Sequence, residues 1–584
     1  YQPNSLVSSS WSRPATNRLL VEAGFGLNRA AVNSKRQPGV GPFDIAITEL
    51  SNNLRYGSRA GGIIAPGNYS TNLNTLQLSQ RFSLSYITGS HAFKAGINLL
   101  EFLQGHKNTN AFNQIHGARA YSFRNRIPTS ITLYSTPFGF THRTLATGLY
   151  AQDQWTLRQL TLNLGVRYDA FNGWANEQHF PAGLFVPARD LPAVEDSPDW
   201  KNINPRVGAA YDLFGNGRTA VKASLGRFVI GTSGNGNVTL NNPALNQAIS
   251  ATRTWTDSNL NYVPDCVLDA SVPGANGECG ALSDLTFGQV RTTGNTRFSD
   301  VSLGGGLNES QGYNWQASVS FQHELRQGMA LNVGYFRTWY GNFRFTDNLA
   351  VSAADYSPFC VTAPIDTRLS GSGQQVCDLY DLSPAKFGLV DNLVDMAKNY
   401  GTQTEVFNGI DVTLNTRFAQ GGVVSGGLSV GQTVTDNCFV VDSPQQARPG
   451  FCHVAPPWSA GTQVKFLVVY PLPWNLQTSA TYQNIPGIPI TATYPAPNAQ
   501  IASSLGRNIG SCRGAATCTS NLNTELVAPQ TRYEDRLQQV DLRFTRRFQI
   551  AQTAVLGNFD IYNMLNASAI LSQNAGYGSQ WLVP

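Results

Sequence analysis

Eight cysteines, seven histidines and one serine motif are the residues whose types and spacing point most directly to chemistry. The cysteines fall into four local pairs: Cys266 with Cys279, Cys360 with Cys377, Cys438 with Cys452, and Cys512 with Cys518. An even number in close pairs is the pattern of disulfides made in an oxidising compartment. Metal binding would call for CxxC-type spacing, which is absent. The histidines, at 91, 106, 116, 142, 179, 323 and 453, are scattered. His106 and His116 lie in one long polar segment where they could help hold a ligand or metal, and a solvated polar role is the plainer expectation. Gly427-Leu428-Ser429-Val430-Gly431 matches the GxSxG pattern of a nucleophile elbow. That motif needs a sharp strand-to-helix turn, and this one sits inside a run of small strand residues. There is no GxxxxGK[ST] phosphate loop and no HExxH helix. Adjacent carboxylates such as Glu195 with Asp196 and Glu534 with Asp535 read as solvated loop residues. These patterns predict no catalytic centre, no metal site and no cofactor.

The elements that carry these residues are strands. From Tyr313 to Phe321 the apolar set Tyr313, Trp315, Ala317, Val319 and Phe321 alternates with Asn314, Gln316, Ser318 and Ser320. The same period of two runs through Leu162–Tyr168, Phe93–Leu99, Ile410–Leu414 and Val540–Phe544. About sixteen strands are predicted, near 17–29, 71–88, 91–104, 118–124, 144–157, 160–173, 204–214, 219–230, 313–325, 329–343, 407–418, 424–436, 461–470, 474–493, 537–548 and 555–565. A β-sandwich with one wet face would show the same alternation. The connections separate the two. Tight turns near Thr88–His91, Leu157–Leu160, Phe214–Arg218, Leu325–Gly328, Ala419–Gly422, Tyr470–Pro473 and Phe548–Gln552 alternate with long polar segments. Those segments are roughly 30–70, 105–142, 174–203, 231–311, 344–405, 437–460 and 485–535. Loops this long are uncommon in compact soluble domains. Short turns at one end and long loops at the other are the pattern of an outer-membrane barrel. All four cysteine pairs lie in or beside the long segments, which places those segments on the oxidising side.

Composition agrees. Charged residues make up 13% of the 584 positions, against about 25% in typical soluble domains. Hydrophobic residues reach 41%, yet no apolar run approaches the ~20 residues of a membrane helix. A chain that crosses lipid without such helices must close its backbone hydrogen bonds as a barrel. A net charge of +5 over this length gives no reason to expect a nucleic-acid partner. Aromatics near strand ends, Trp155, Trp174, Trp339, Tyr340, Trp474, Tyr482 and Tyr562, are candidates for interfacial girdles.

Charges on the polar face of the strands would then line the lumen. The candidates are Arg167, Asp169, Lys222, Arg227, Asp411, Arg417, Asp541 and Arg543, with Arg547 beside them. Cross-strand pairing and contact with an internal plug is the structural role expected of them, and substrate passage the functional one. Asp153 and Arg167 are a candidate cross-strand pair.

Several stretches resemble TonB-dependent receptors of the Oar-like type. They are Gly148-Leu-Tyr-Ala-Gln-Asp-Gln-Trp155, Leu160-Thr-Leu-Asn-Leu-Gly-Val-Arg-Tyr-Asp169, Asn204-Pro-Arg-Val-Gly-Ala-Ala-Tyr211 with the turn Phe214-Gly-Asn-Gly-Arg218, and Gly557-Asn-Phe-Asp-Ile-Tyr-Asn563. The resemblance implies an all-β, transmembrane antiparallel barrel of 22 strands. About 16 are visible here, so residues 1–584 are expected to be one barrel domain truncated at both ends. The N-terminal domain, the plug and the final strand would lie outside it. The resemblance also implies a cell outer membrane location with outer-membrane lipid around the barrel, and uptake of a ferric siderophore, cobalamin or oligosaccharide. It implies energy supplied by a TonB–ExbB–ExbD complex through the N-terminal part. Two other functions fit: a surface adhesion or export-assisting barrel, and a secreted soluble β-rich carbohydrate-active enzyme.

Overall fold

The computed structural model describes residues 4–32, 38–40, 44–58, 72–108, 118–231, 237–291, 296–418 and 421–584. Long alternating runs can bury one face only if neighbouring strands share their backbone hydrogen bonds, and that is the dominant feature. One sheet of 17 strands runs through the chain. Sixteen are long: β1 (Ser5–Pro14), β2 (Leu19–Val32), β3 (Asn72–Thr88), β4 (His91–Asn108), β5 (Phe138–Leu157), β6 (Leu160–Trp174), β7 (Asp199–Asp212), β8 (Thr219–Val229), β9 (Tyr313–Arg326), β10 (Met329–Gly341), β11 (Thr404–Arg417), β12 (Val423–Asp436), β13 (Gln463–Leu472), β14 (Leu476–Ile485), β15 (Leu537–Ile550) and β16 (Thr553–Ile561). The remaining one is the two-residue His453–Val454. Each long strand pairs antiparallel with its sequence neighbour, an up-and-down meander. Among the described residues no ladder joins β1 to β16.

Connections alternate in length. Two-residue turns close β3–β4 at Gly89–Ser90, β5–β6 at Arg158–Gln159 and β9–β10 at Gln327–Gly328, with φ of +53°, +52° and +80° at Gly89, Arg158 and Gly328. Such left-handed turn residues match the twist of a hairpin. The long connections all emerge at the opposite end.

The alternation sorts the two faces of this wall. On one face Phe93, Leu149, Leu164, Val207, Leu225, Val319 and Ile410 stand exposed, Val319 by 53%. A soluble sandwich would bury that face in its core. In a barrel it is the face that meets lipid, and the soluble-enzyme alternative does not fit it. The other face carries Ser, Gln, Asn and most of the wall's charges.

Two strand expectations change. The run 118–124 is not part of the wall. Arg119–Arg124 is 6 residues, shorter than the ~9–11 a membrane strand needs. It lies in a separate five-stranded sheet with Ser250–Thr254, Ile127–Tyr134, Ala46–Glu49 and Leu54–Gly57. The strand at Ser5–Pro14 is hard to read in the sequence because five serines and a Pro dilute its alternation. Its ladder to β2 sets Trp11 against Ala23 and Leu6 against Asn28.

The long connections fold into an ordered cap. Trp255, Tyr121, Phe123, Ile131 and Leu133 form one core, Phe359, Leu379, Ile501 and Ile509 a second, and Trp581 with Leu369, Ile490 and Val527 a third. Arg253 is fully buried and donates to the carbonyls of Gly274 (3.0 Å), Gly280 (2.9 Å) and Val272. It braces the loop that Cys266 and Cys279 close.

The two-faced wall makes a direct prediction. Val319→Arg puts a charge on the lipid face and should destabilise the barrel by about 2–4 kcal/mol, whereas Gln316→Arg on the opposite face should cost under ~1 kcal/mol. Chemical unfolding of the full-length protein in bilayers, followed by heat-modifiable gel mobility, measures both.

Candidate functional site

The site has two parts, a polar interior wall and the cap over its outer end. Residues opposite one another in an antiparallel ladder point to the same side, so register decides which side chains meet inside. Through the ladders Arg167, Asn204, Gly226, Lys222, Ser320, Asp411 and Ser429 fall on one face. The register carries that face on through Gln463 and Lys465 to Thr481, Asp541, Arg543 and Asp560.

On this face Arg167 Nε donates to Asp169 Oδ1 at 2.7 Å, and Asn204 Nδ2 donates to Asp169 Oδ2 at 2.7 Å. Lys222 stands between Ala210 and Ser320. Ser429 Oγ donates to Asp411. Asp541 accepts from the Asn563 backbone at 2.7 Å and from Gln539 at 2.9 Å. Arg543 is forked onto Asp560, with Nη2 3.0 Å from Oδ2. Arg417 lies at the short-turn end, opposite Val423. The interior wall also holds an ion pair that sequence reasoning missed: Lys94 Nζ to Glu22 Oε2 at 2.9 Å, with Ser83 donating to the same oxygen at 3.1 Å. Parity of Glu22 and Lys94 within their strands was the available signal.

Arg227 departs from the expectation. By alternation it shares the face of Leu225, not of Lys222. It is 4% exposed, stacks 4.2 Å over the Tyr313 ring and donates to Asn204 Oδ1 at 2.7 Å. It ties strand ends together at the base of the cap. The Asp153–Arg167 pairing is also corrected. The two-residue turn at Arg158–Gln159 sets Asp153 opposite Leu164 and Arg167 opposite Tyr150, so the two charges lie on opposite faces. Asp153 instead accepts from His91 Nδ1 at 2.7 Å, and the His91 ring stacks 5.2 Å from both Phe93 and Trp155 near the short-turn rim.

The GxSxG stretch is a straight segment of β12 in register with β11, without an elbow or a following helix. His116 lies outside the described residues, as does the side chain of His106. Among the described residues no group of three or more His, Cys, Asp or Glu is placed to hold a metal.

In the cap, the four cysteine pairs are bonded as paired, with Cα–Cα separations of 5.8 Å (266–279), 4.2 Å (360–377), 4.9 Å (438–452) and 5.8 Å (512–518). Cys360–Cys377 crosslinks the hairpin of Tyr356–Thr362 and Gln375–Leu382. Two long connections meet at Asp442, whose carboxylate accepts from the Asn348 backbone at 3.1 Å beside Asp347. Tyr400 Oη donates to Asp347 Oδ2 at 3.1 Å. Burial pushes the Asp442 carboxyl up to about 6, and the Asp347 carboxyl adds to the rise. Because the folded value lies above the ordinary carboxylate range, the contact is stabilised at low pH, and that contribution is lost as pH rises from about 4 through 6. Protease cleavage within 342–403 and 437–462 should therefore accelerate over that window. Asp442→Asn, which keeps an acceptor for Asn348 and cannot ionise, should flatten the dependence. A profile unchanged by the substitution would count against this contact as its origin.

The family model described as "Outer membrane beta barrel domain" matches residues 1–427. The TonB-dependent transporter Oar of Myxococcus xanthus is 30% identical over 157 residues, 24% of this chain and 13% of Oar. The outer membrane transporter YddB of Escherichia coli superposes with a TM-score of 0.54 at 12% identity, over 99% of this chain and 61% of YddB. The ferric yersiniabactin uptake receptor FyuA of Yersinia pestis matches with a TM-score of 0.42 at 7% identity, over 95% of this chain and 59% of FyuA. The chain thus spans about three-fifths of the length of these solved transporters and aligns with a far smaller share of Oar. The fold is that of the outer-membrane transporters, and its place is the outer membrane. From its sixteen-strand wall and from the family match, the chain belongs to the outer membrane beta barrel domain family.

Proposed function

We propose that this barrel serves the uptake of a scarce ligand across the outer membrane, as part of a TonB-dependent receptor. The observation that carries the reading is the pairing of a polar, ion-paired interior wall with an ordered cap, its loops closed by local disulfides, at the outer ends of the same strands. A cap so ordered presents a preformed surface, which lowers the ordering cost of capture. The interior wall offers hydrogen-bond donors and acceptors along the path below it. In this reading the cap captures the ligand, a plug within the barrel rearranges to open a path, and a TonB–ExbB–ExbD complex in the inner membrane supplies the energy. No bond of the ligand is made or broken, so the role is transport, not catalysis. Ferric siderophores, cobalamin and oligosaccharides are the ligand classes to consider.

A second reading has one observation behind it. The cap exposes large apolar side chains, among them Leu260 (76%), Val263 (56%) and Ile365 (92%). Exposed apolar surface marks macromolecular contacts, which suits an adhesion or export-assisting barrel.

Uptake separates the two. Cells carrying the intact protein should accumulate labelled ferric enterobactin, cyanocobalamin or a neutral hexasaccharide above a deletion strain. Accumulation should fall to the deletion level when the proton-motive force is collapsed. Equal accumulation in both strains for all three probes would overturn the import reading.

A further inference from the structure

High on the interior wall, β11, β12, the start of β13 and two cap segments line an open cavity of about 450 Å3. It is lined by Phe407, Asp411, Ser429, Gln463, Gln530 and Tyr533, among others. The volume lies in the range of small-molecule sites. Three features of its wall select a ligand class.

The first is a seated aromatic ring. Gly409 and Gly431 face each other in the β11–β12 ladder. A Cβ on Gly409 would stand 2.7 Å from the Phe407 ring, and one on Gly431 would stand 2.8 Å from it. Only this pair of glycines lets the ring lie down along the wall and leave a face to the cavity. The arrangement continues on the neighbouring strand. Phe336 stands opposite Gly409 in the β10–β11 ladder, lies over Gly334 (2.9 Å to a Cβ there) and is 36% exposed. Phe336 thus carries a second ring on the interior face of the next strand, outside the cavity lining.

The second feature is uncommitted hydrogen-bonding capacity. The side chains of Gln463 and Gln530 and the hydroxyl of Tyr533 make no hydrogen bond to the described protein, although each lines the cavity. Each amide offers two donors and a carbonyl acceptor, and the phenol offers one donor.

The third is charge. The lining includes one carboxylate, Asp411, which already accepts from Ser429, and no Lys or Arg. The adjoining hollow toward the short-turn end adds a single cation, Lys465. A polyanionic ferric chelate would meet a carboxylate here and no matched cluster of cations.

We infer that this cavity binds a neutral, polyhydroxylated ligand, a carbohydrate, by stacking a sugar ring on Phe407 and pairing its hydroxyls with Gln463, Gln530 and Tyr533. The inference rests on the import reading and narrows its ligand. The face of an aromatic ring is electron-rich. The C–H bonds on the flat side of a pyranose, polarised by the ring and hydroxyl oxygens, are its electrostatic complement. Amide and phenol groups fit hydroxyls because both can donate and accept. The half-buried Asp411 carboxylate can accept from a sugar hydroxyl equally well.

The test uses the full-length protein in isolated outer-membrane vesicles. The probes are fluorescently labelled malto-, cello-, xylo- and mannohexaose, with ferric enterobactin as the anionic comparison. At least one hexaose should bind saturably. Phe407→Ala should weaken it about tenfold, and Gln463→Ala about three- to tenfold. Gly431→Ala keeps the ring but displaces it, and should weaken the same hexaose several-fold. Heat-modifiable mobility checks that each variant is folded. Binding by no hexaose overturns the inference, as does binding that all three folded variants leave unchanged, or ferric enterobactin as the only probe bound. If a hexaose binds and the variants weaken it but energised accumulation is absent, the import reading fails while the site stands.

Discussion

The wall of this protein follows from one requirement: a backbone in hydrocarbon must pair every N–H and C=O within the protein. An unpaired amide in lipid costs several kcal/mol, and a strand has two edges to satisfy. An up-and-down antiparallel ladder meets the requirement with the shortest connections, which explains the two-residue turns at one end. Once the ladder is set, side chains have only two directions. The greasy set of β9, from Tyr313 to Phe321, must share its side with Leu225 and Tyr335, because those residues stand opposite it in register. The polar set has nowhere to go but the interior. Wall chemistry is therefore a consequence of parity, and no residue on the wall can change side without moving the whole strand.

Parity also explains what the sequence made legible and what it hid. The period of two and the alternation of short and long connections were readable, and they carried the fold. The register of β5 and β6 was readable too. A turn at Arg158–Gln159 makes the paired numbers sum to a constant, which sets Arg167 against Tyr150 and leaves Asp153 on the far side. Charge complementarity alone pointed the other way, and geometry outranks it. Arg227 defeated the same rule from a different direction. Near a strand end the ladder between β7 and β8 has stopped at Arg206 and Gly226, and the long Arg side chain reaches over to Asn202 and Asn204. Ser5–Pro14 was hidden because serines satisfy the alternation only weakly. The cap's own small sheets were hidden because four- to eight-residue strands inside polar loops carry too little period to see.

The cap obeys different physics. It stands in water, so it needs hydrophobic cores, and it has them around Trp255, Phe359 and Trp581. Each core is small, and small cores bury too little apolar surface to hold long connections in place. The four disulfides and the buried guanidiniums supply what the cores lack. Arg253 and Arg189 are bound mainly to loop carbonyls, with no carboxylate partner. A planar group with five donors can satisfy several carbonyls that have no strand to pair with, which a carboxylate could not do. Trp581 closes the third core from the segment after β16, with its Nε1 on the Thr491 carbonyl at 2.8 Å and the Arg368 guanidinium 5.1 Å over its ring.

Wall and cap meet where a transported molecule would pass, and there the constraint of parity becomes a resource. Interior positions are free of the demand for apolar contact, so their composition can be set by what the lumen must hold. Glycine at such a position costs strand stability, since it packs nothing and loses more entropy than any other residue. Two glycines directly opposite one another, Gly409 and Gly431, double that cost at one point of the wall. A neighbouring aromatic ring lying into the gap recovers some of it by covering the bare backbone. It also replaces a bristling polar surface with a flat one. Electrostatics then divides the interior. The ion pairs Glu22–Lys94, Arg167–Asp169 and Arg543–Asp560 lie on β2, β4, β6, β15 and β16, while β10, β11 and β12 carry the rings and the amide-lined cavity beside them. The charged sector is held by its own pairings. The second sector, where Ser429 holds Asp411 and the amides of Gln463 and Gln530 are uncommitted, is where the wall is chemically open to a guest.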